Sequence, residues 1–217
     1  MFHFEAVFSA LPFIIMGVGV TLKFTFCSLL GGLPLGVILA VCKSSNFLII
    51  KKIAEFYTAV FRGTPLLVQL GIFFYATPLI LGYSISAFAA GVIAFSLNSA
   101  AYSSEIIRTG IMSIDLGQWD AAKVLGISPL KTWTKVIFPQ AARNILPALI
   151  NEMVNLLKES ALVSTIGEAD LLRRAQIVAA EKFLYFEPMI VAAFFYFLMV
   201  MTISLFAKKL EKRLNNA

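Results

Sequence analysis

Apolar residues in this sequence come in long runs rather than at the three- and four-residue spacing of a soluble helix. Residues 24–42, FTFCSLLGGLPLGVILAVC, hold no charge, and KSSNFLIIKK stops them. Residues 188–207, PMIVAAFFYFLMVMTISLFA, are equally clean and end at KKLEKRLNNA. Weaker runs lie between them: 53–76, which contains Glu55 and Arg62; 85–108, uncharged from Ile85 to Ser104; and 145–163. Because about 20 apolar residues cross a bilayer, the pattern predicts five spans, at about 11–42, 53–76, 85–108, 145–163 and 188–207. TPLILGYS (77–84) reads as a turn, with Pro78 and Gly82 as breakers. No repeat or low-complexity tract divides the chain, so residues 1–217 are expected to form one transmembrane domain.

Two segments depart from this pattern. Residues 165–187 are too polar to span and are expected to form a re-entrant or interfacial helix on the outer side. Residues 112–144 read like a soluble helical hairpin. Its first helix is predicted over Leu116 to Leu125, with Gly126 as the C-terminal stop. Ser128 and Pro129 can open the second, since Pro at the first helical position needs no N–H partner. Leu130, Trp133 and Ile137 share one apolar face, Lys131, Thr134 and Lys135 lie opposite, and Pro139 is expected to end the helix. An interfacial helix on lipid headgroups would suit the lysines. The small surface of Ala121, Ala122 and Gly126 suits close docking of another protein better.

Composition agrees with the membrane reading. The 217 residues are 59% hydrophobic and 14% charged, against about 25% charged in soluble domains. A net charge of +6 could mean nucleic acid, but the basic residues sit at the ends of apolar runs, where topology is written. With five spans, Lys43, Lys51, Lys52, Arg108, Lys123, Lys131, Lys135, Arg143, Lys208, Lys209, Lys212 and Arg213 fall on one side. Lys23, Arg173, Arg174 and Lys182 fall toward the other. That asymmetry predicts N-terminus outside and C-terminus in the cytoplasm, with the hairpin inside. The first residues, MFHFEAVFSALPF, lack a basic stretch and hold Glu5, which argues against a cleaved signal peptide.

Several chemistries find no residues to carry them. Cys27, Cys42 and His3 make no metal or disulfide pattern. There is no nucleophile–base arrangement, so no catalytic residue is expected. The sequence also lacks G-x-x-x-x-G-K-[ST] and any Gly-Lys dipeptide. If ATP powers this protein, the ATPase is another polypeptide.

Polar residues at membrane depth face a bundle interior or a wet cavity. Glu55, Arg62 and Gln69 are spaced by seven, on one face of a continuous helix, and Thr64-Pro65 predicts a kink between them. Asn98, Tyr102 and Glu105 share a face of the third span, with Ser96, Ser99, Ala100 and Ala101 allowing close packing. The fourth span carries Asn151, Asn155, Lys158, Glu159 and Leu162 in a stripe, with Glu152 seven before Glu159 and Ser160 and Ser164 following. A structural ion pair and a substrate site account for Lys158 and Glu159 equally well.

Asp120-Ala121-Ala122, three residues, Gly126, nine residues, then Val136-Ile137-Phe138-Pro139 resembles the EAA loop of ABC importer permeases. Asp stands for Glu, Val for Ile and Phe for Leu; the alanines, Gly126 and Pro139 match. RGTPLLVQL (62–70), NSAAYSSEIIRTGI (98–111), PQAARNILPALINE (139–152), KESALVSTIG (158–167) and FEP (186–188) resemble the polar amino acid branch. Where that branch has K-D-T/S-L, this chain has Lys158-Glu159-Ser160-Ala161-Leu162. The resemblance covers most of residues 17–213. It implies an all-α, MetI-like permease subunit of five spans in the bacterial inner membrane. It further implies a second permease subunit, two cytoplasmic ATPase subunits that bind ATP and Mg, and an outer substrate-binding protein.

On that resemblance Asp120, Ala121, Ala122, Gly126, Ile127 and Pro139 form the ATPase-coupling loop. Arg62, Gln69, Asn98, Tyr102, Asn155, Lys158, Glu159, Ser160 and Ser164 are candidates for the substrate pathway. The expected cargo is a polar amino acid, with a cationic one (arginine, lysine or histidine) ahead of glutamine. An ion-driven secondary transporter working without an ATPase is the alternative; such folds tend to carry paired repeats, which this sequence lacks.

Overall fold

The computed structural model describes residues 4–215, all helix and connecting turns; His3 lies outside them. A short α1 (Phe4–Phe8) leads into α2 (Leu11–Lys43), which carries Pro34 inside it. α3 (Leu48–Gly63) and α4 (Leu66–Gly71) are separated by Thr64-Pro65. A π-helical turn (Ile72–Ala76) joins α4 to α5 (Thr77–Leu81), after which α6 (Ala87–Met112) crosses back. α7 (Leu116–Val124) and α8 (Pro129–Lys131) form the hairpin, and a second π turn (Thr132–Ile137) continues into α9 (Phe138–Glu159). A 3-10 segment (Ser160–Ile166), α10 (Leu171–Lys182) and α11 (Phe186–Asn215) complete the chain.

By length and composition α2 and α11 can each cross a membrane, and α3 with the α4–α5 arm makes a third candidate, bent by 101°. α6 carries buried polar residues (Asn98, Ser99, Ser103 and Ser104) and α9 a polar stripe that is exposed at Asn151, Asn155, Lys158 and Glu159 and buried at Glu152, which lowers their hydropathy without shortening them.

The most extensive pairing is α2 against α6. Helix association in lipid relies on packing rather than on apolar burial, so small residues mark the seam. A Cβ at Gly36 would stand 2.8 Å from the Ser103 Cβ, and one at Gly32 2.9 Å from the Ser96 carbonyl oxygen. Phe24 then stacks edge-on against Phe95 at 4.8 Å, with Leu66, Leu70, Leu156 and Val163 around it. A second core joins α2, α10 and α11 through Ile14, Leu171, Val178 and Ala192.

At the hairpin end, Lys43 closes the α2–α6 pair. Its buried ammonium donates to the Ser104 hydroxyl (2.8 Å) and to Glu105 Oε1 (2.7 Å). Arg108 donates to the other oxygen, Glu105 Oε2, through Nε and Nη2. A buried charge persists only with such partners, so one carboxylate holds two cations.

At the opposite end α10 docks onto α2. Gly17 permits it: a Cβ there would lie 2.5 Å from the Leu171 Cα. The Thr21 hydroxyl accepts the Leu171 N–H, and Asp170 caps α10 by accepting the N–H groups of Leu172 and Arg173. Tyr196 on α11 donates to the same carboxylate at 3.1 Å.

Several expectations change here. Pro139 does not end the second hairpin helix. The π turn shifts the backbone pairing, with the Phe138 N–H donating to the Trp133 carbonyl five residues back, so Pro139 enters α9 within its first turn, where its missing N–H costs little. The same turn breaks the shared face drawn through Leu130, Trp133 and Ile137: Ile137 is buried and Leu130 stands 75% exposed. Pro78 opens α5 rather than breaking the chain, and Gly82, at φ +75, ends it. Ser128 makes no side-chain cap, while Asp115 caps α7 through the Gly117 N–H.

Candidate functional site

The predicted kink at Thr64-Pro65 is where the first cluster of pathway candidates meets. Breaking the helix strips partners from the carbonyls that precede Pro65, and buried carbonyls need donors. Gln69 supplies them: its Nε2 donates to the Phe61 carbonyl (2.9 Å), the Thr64 carbonyl (3.1 Å) and Thr64 Oγ1 (2.8 Å). Asn98, from α6, donates to the Phe61 carbonyl and to Gln69 Oε1, both at 3.1 Å. Arg62 lies with its guanidinium over the Tyr102 ring, 5.2 Å from the centroid. All four residues gather at the break. The bend also removes Gln69 from the face of Glu55 and Arg62, and Glu55 pairs with Lys52 at 3.4 Å.

The second cluster is on α9. Asn155, Lys158 and Glu159 are exposed and, with Ala161 and Leu162, line an open concavity of about 420 Å³. Every lining residue belongs to α9 or the 3-10 segment. Ser160 and Ser164 are buried instead, donating to the Leu157 and Ala161 carbonyls one turn back. Glu152, one heptad before Glu159, is buried within the bundle. The concavity therefore offers a carboxylate, an ammonium and an amide, but no hydroxyl from those serines.

The hairpin presents a different chemistry. Gly126 at φ +67 stops α7, with the Ile127 N–H closing back onto the Ala122 carbonyl in the glycine-dependent helix ending. Trp119 meets Trp133 edge to face at 5.4 Å and locks the two arms. Asp120, Ala121 and Gly126 are exposed, Ile127 is half-buried, and Pro139 is exposed at the start of α9. Ala122 is buried within the fold, so its small size serves the hairpin's own closure rather than an outer surface. The tip carries Val124, Leu125 and Leu130, at 87%, 75% and 75% exposure.

Sequence reading missed Lys43 as the partner of Glu105, Tyr57 as a donor to the Leu97 carbonyl (2.8 Å), and the Thr21–Asp170–Tyr196 set. Only Lys43 had a sequence signal, a cation closing an apolar run as Glu105 closes another.

Residues 32–216 match the family of binding-protein-dependent transport system inner membrane components. The chain belongs to this family. Among its relatives, the putative glutamine transport system permease protein GlnP of Rickettsia conorii is 50% identical over 202 residues, 93% of each chain. The arginine transport system permease protein ArtQ of Bacillus subtilis is 46% identical over 213 residues, 98% of this chain and 97% of that one. The crystal structure of an amino acid ABC transporter with histidines superposes with a TM-score of 0.92 at 44% identity, over 98% of this chain and 99% of that one. The inward-facing MetNI methionine ABC transporter shares the fold, at a TM-score of 0.73 and 21% identity, over 93% of this chain and 96% of that one.

The family member described here is thus an all-α, MetI-like permease subunit of an amino acid ABC importer. Nucleotide binding in this family belongs to partner ATPase subunits, and the ion-driven alternative has no support.

Proposed function

We propose that this permease subunit passes a cationic amino acid (arginine, lysine or histidine) across the inner membrane by alternating access. The observation that carries the reading is the α9 concavity, where the Glu159 carboxylate and the Asn155 amide stand open to a ligand. A guanidinium or ammonium finds its charge partner in Glu159, and Lys158 beside it suits the substrate's own carboxylate. α9 and the 3-10 segment that continues it supply every lining group, so the opposite wall falls to a second permease subunit, a copy of this chain or a sister. Arg62 and Tyr102, with Gln69 and Asn98 behind them, would flank the path at the α3–α4 break. Ser160 and Ser164 would act by shaping the backbone beside Glu159.

The hairpin would face the cytoplasm, a placement that the basic asymmetry favours, and couple to two ATPase subunits. Its exposed apolar tip and the turn at Gly126 support that role. α10 would then lie on the outer side, where a substrate-binding protein delivers the cargo. In this arrangement α2, the α3–α5 arm, α6, α9 and α11 are the five spans, with the N-terminus outside.

The test is substrate-stimulated ATP hydrolysis by the reconstituted complex. Glu159→Gln should lower stimulation by arginine while leaving assembly intact; unchanged stimulation overturns the role of Glu159. A second reading, glutamine, is favoured by Lys158, which leaves the concavity without net negative charge. Stimulation by glutamine and none by arginine in the unaltered complex would select it.

A further inference from the structure

The polar file that begins at the α3–α4 break continues toward the hairpin end, into a charged cluster that neither candidate site uses. Lys51, Glu55 and Arg62 fall on one face of α3, at i, i+4 and i+11. Tyr102, Glu105 and Arg108 follow at successive i+3 steps on α6. Arg62 lies over Tyr102. Glu55 comes one heptad earlier on α3, roughly 10 Å along the helix at about 1.5 Å per residue, and here the helices enclose a cavity of about 430 Å³. Lys43 from α2, Lys51 and Glu55 from α3, and Glu105, Arg108 and Met112 from α6 line it. Small-molecule sites occupy ~300–1,000 Å³, so the space suffices for an amino acid.

The charged groups here are not equally committed. Glu105 is saturated: Oε1 accepts from the Lys43 ammonium, and Oε2 accepts from Arg108 Nε and Nη2. Lys43 is buried and donates to Ser104 as well, so this pair forms a fixed wall. Three groups keep bonding capacity. Lys51 is exposed and joins no ion pair among the described residues. Arg108 Nη1 donates only to the Met112 sulfur, at 2.8 Å, and a thioether is a weak acceptor. Glu55 meets Lys52 at 3.4 Å, a solvent-exposed pair that holds neither partner firmly.

Two cations and one carboxylate are thus left to a ligand, and that set identifies its class. A bare anion would satisfy Lys51 and Arg108 but face Glu55. A bare amine would satisfy Glu55 but face two cations. An α-amino acid carries both charges on one carbon: its carboxylate suits Arg108 Nη1 and Lys51, and its ammonium suits Glu55. Basic residues at a helix end also serve membrane topology, but topology calls for no carboxylates among them.

We propose that this cavity is a second amino acid site, one that grips the zwitterionic head group common to the cargo class and leaves the side chain unread. Placed at the hairpin end, it opens to the cytoplasm and is filled by amino acid leaving the path or already inside the cell. The side of the membrane rests on the cytoplasmic placement of the hairpin. The site itself rests on neither that placement nor the α9 concavity.

The test uses the permease–ATPase complex without its binding protein, carrying Met112→Cys, with maleimide labelling of that thiol read by mass spectrometry of its peptide. Glutamine and arginine should each slow labelling, about tenfold at ten times the half-protecting concentration, as the single-site ratio 1 + [L]/Kd dictates. At the same concentrations γ-aminobutyramide, which is glutamine without its carboxylate, should not protect, nor should N-acetylglutamine, which lacks the ammonium. Glu55→Gln should reverse that preference, losing protection by glutamine and gaining it from N-acetylglutamine. Lys51→Gln should abolish protection by glutamine; both side chains reach solvent, so these complexes should still co-purify with the ATPase. Lys123→Cys, on the hairpin outside the cavity, should label at one rate throughout. Protection at both thiols is a global change of conformation and overturns the site, as does equal protection by all four compounds or by none. Protection by glutamine or arginine alone means that the side chain is read, and overturns the head-group assignment. In a Glu159→Gln background the protection should persist, whatever becomes of stimulated hydrolysis; its loss would show a signal relayed from α9 and overturn a separate site. In sealed vesicles with an impermeant maleimide, labelling of Met112→Cys from the outer face alone overturns the cytoplasmic opening while the head-group result stands.

Discussion

At the scale of single residues, Gln69 shows how a polar side chain at membrane depth can be required by the backbone before any ligand is considered. Its amide nitrogen serves two carbonyls and a hydroxyl left by the Thr64-Pro65 break, and its oxygen accepts from Asn98. A buried acceptor stripped of its donor costs about 1–3 kcal/mol. Gln69→Leu should therefore lower the melting temperature of the purified complex and alter transport through the bent arm. A complex as stable as the unaltered one would mean that water enters the break and does the same work. Gly17 makes a complementary case, because its partner atoms are backbone and cannot turn aside. Gly17→Ala should loosen α10, costing on the order of 1–3 kcal/mol as an overpacked contact. Faster proteolysis between residues 165 and 187 would report it; unchanged proteolysis would place the slack elsewhere in α2.

At the scale of elements, α10 is held by a buried carboxylate, and that makes its docking sensitive to pH. Burial pushes the Asp170 carboxyl up to about 6 from its ordinary 3.8, against the backbone and Tyr196 hydrogen bonds that lower it. A folded-state value above the unfolded one means that the folded chain holds the proton more tightly. The stability so contributed is complete below about 3.8 and is lost as pH rises through about 6. Hydrogen exchange of α10 amides, corrected for the intrinsic pH dependence, should show weaker protection at pH 7 than at pH 5. In Asp170→Asn that dependence should vanish; persistence would trace it to another group.

The same elements show what sequence could reveal. The apolar runs placed α2, α6 and α11, and Thr64-Pro65 and Gly126 marked a kink and a stop, because steric rules act within a few residues. Pro139 misled because a π turn satisfies the backbone in a register that no local pattern announces. Lys43 with Glu105, Gly17 with Leu171, and Asn98 with the Phe61 carbonyl depend on helices distant in sequence coming into contact. Residue types expected at depth selected the members of the two candidate clusters, whereas the inward turn of the Ser160 and Ser164 hydroxyls follows from the 3-10 segment they sit in.

At the scale of the whole molecule, nucleotide binding in this family belongs to partner subunits, so the permease receives its work through a surface, and under the proposed coupling that surface is the hairpin tip. Leu125 and Leu130 are 75% exposed on a short, rigid hairpin whose arms are locked by Trp119 on Trp133. Leaving such side chains in water is unfavourable unless a partner covers them. Removing one well-buried apolar anchor from an interface costs about 2 kcal/mol or more, roughly thirtyfold in affinity. Leu125→Asp and Leu130→Asp should each reduce co-purification of the ATPase on about that scale and uncouple hydrolysis from substrate, with helix content unchanged. Gly126→Asn is the matched control, since asparagine tolerates the left-handed backbone found there and leaves the tip in shape. If both leucine variants retain a fully coupled ATPase, docking runs through another surface. If Gly126→Asn fails as badly as they do, the backbone turn and not the apolar tip is what the partner reads.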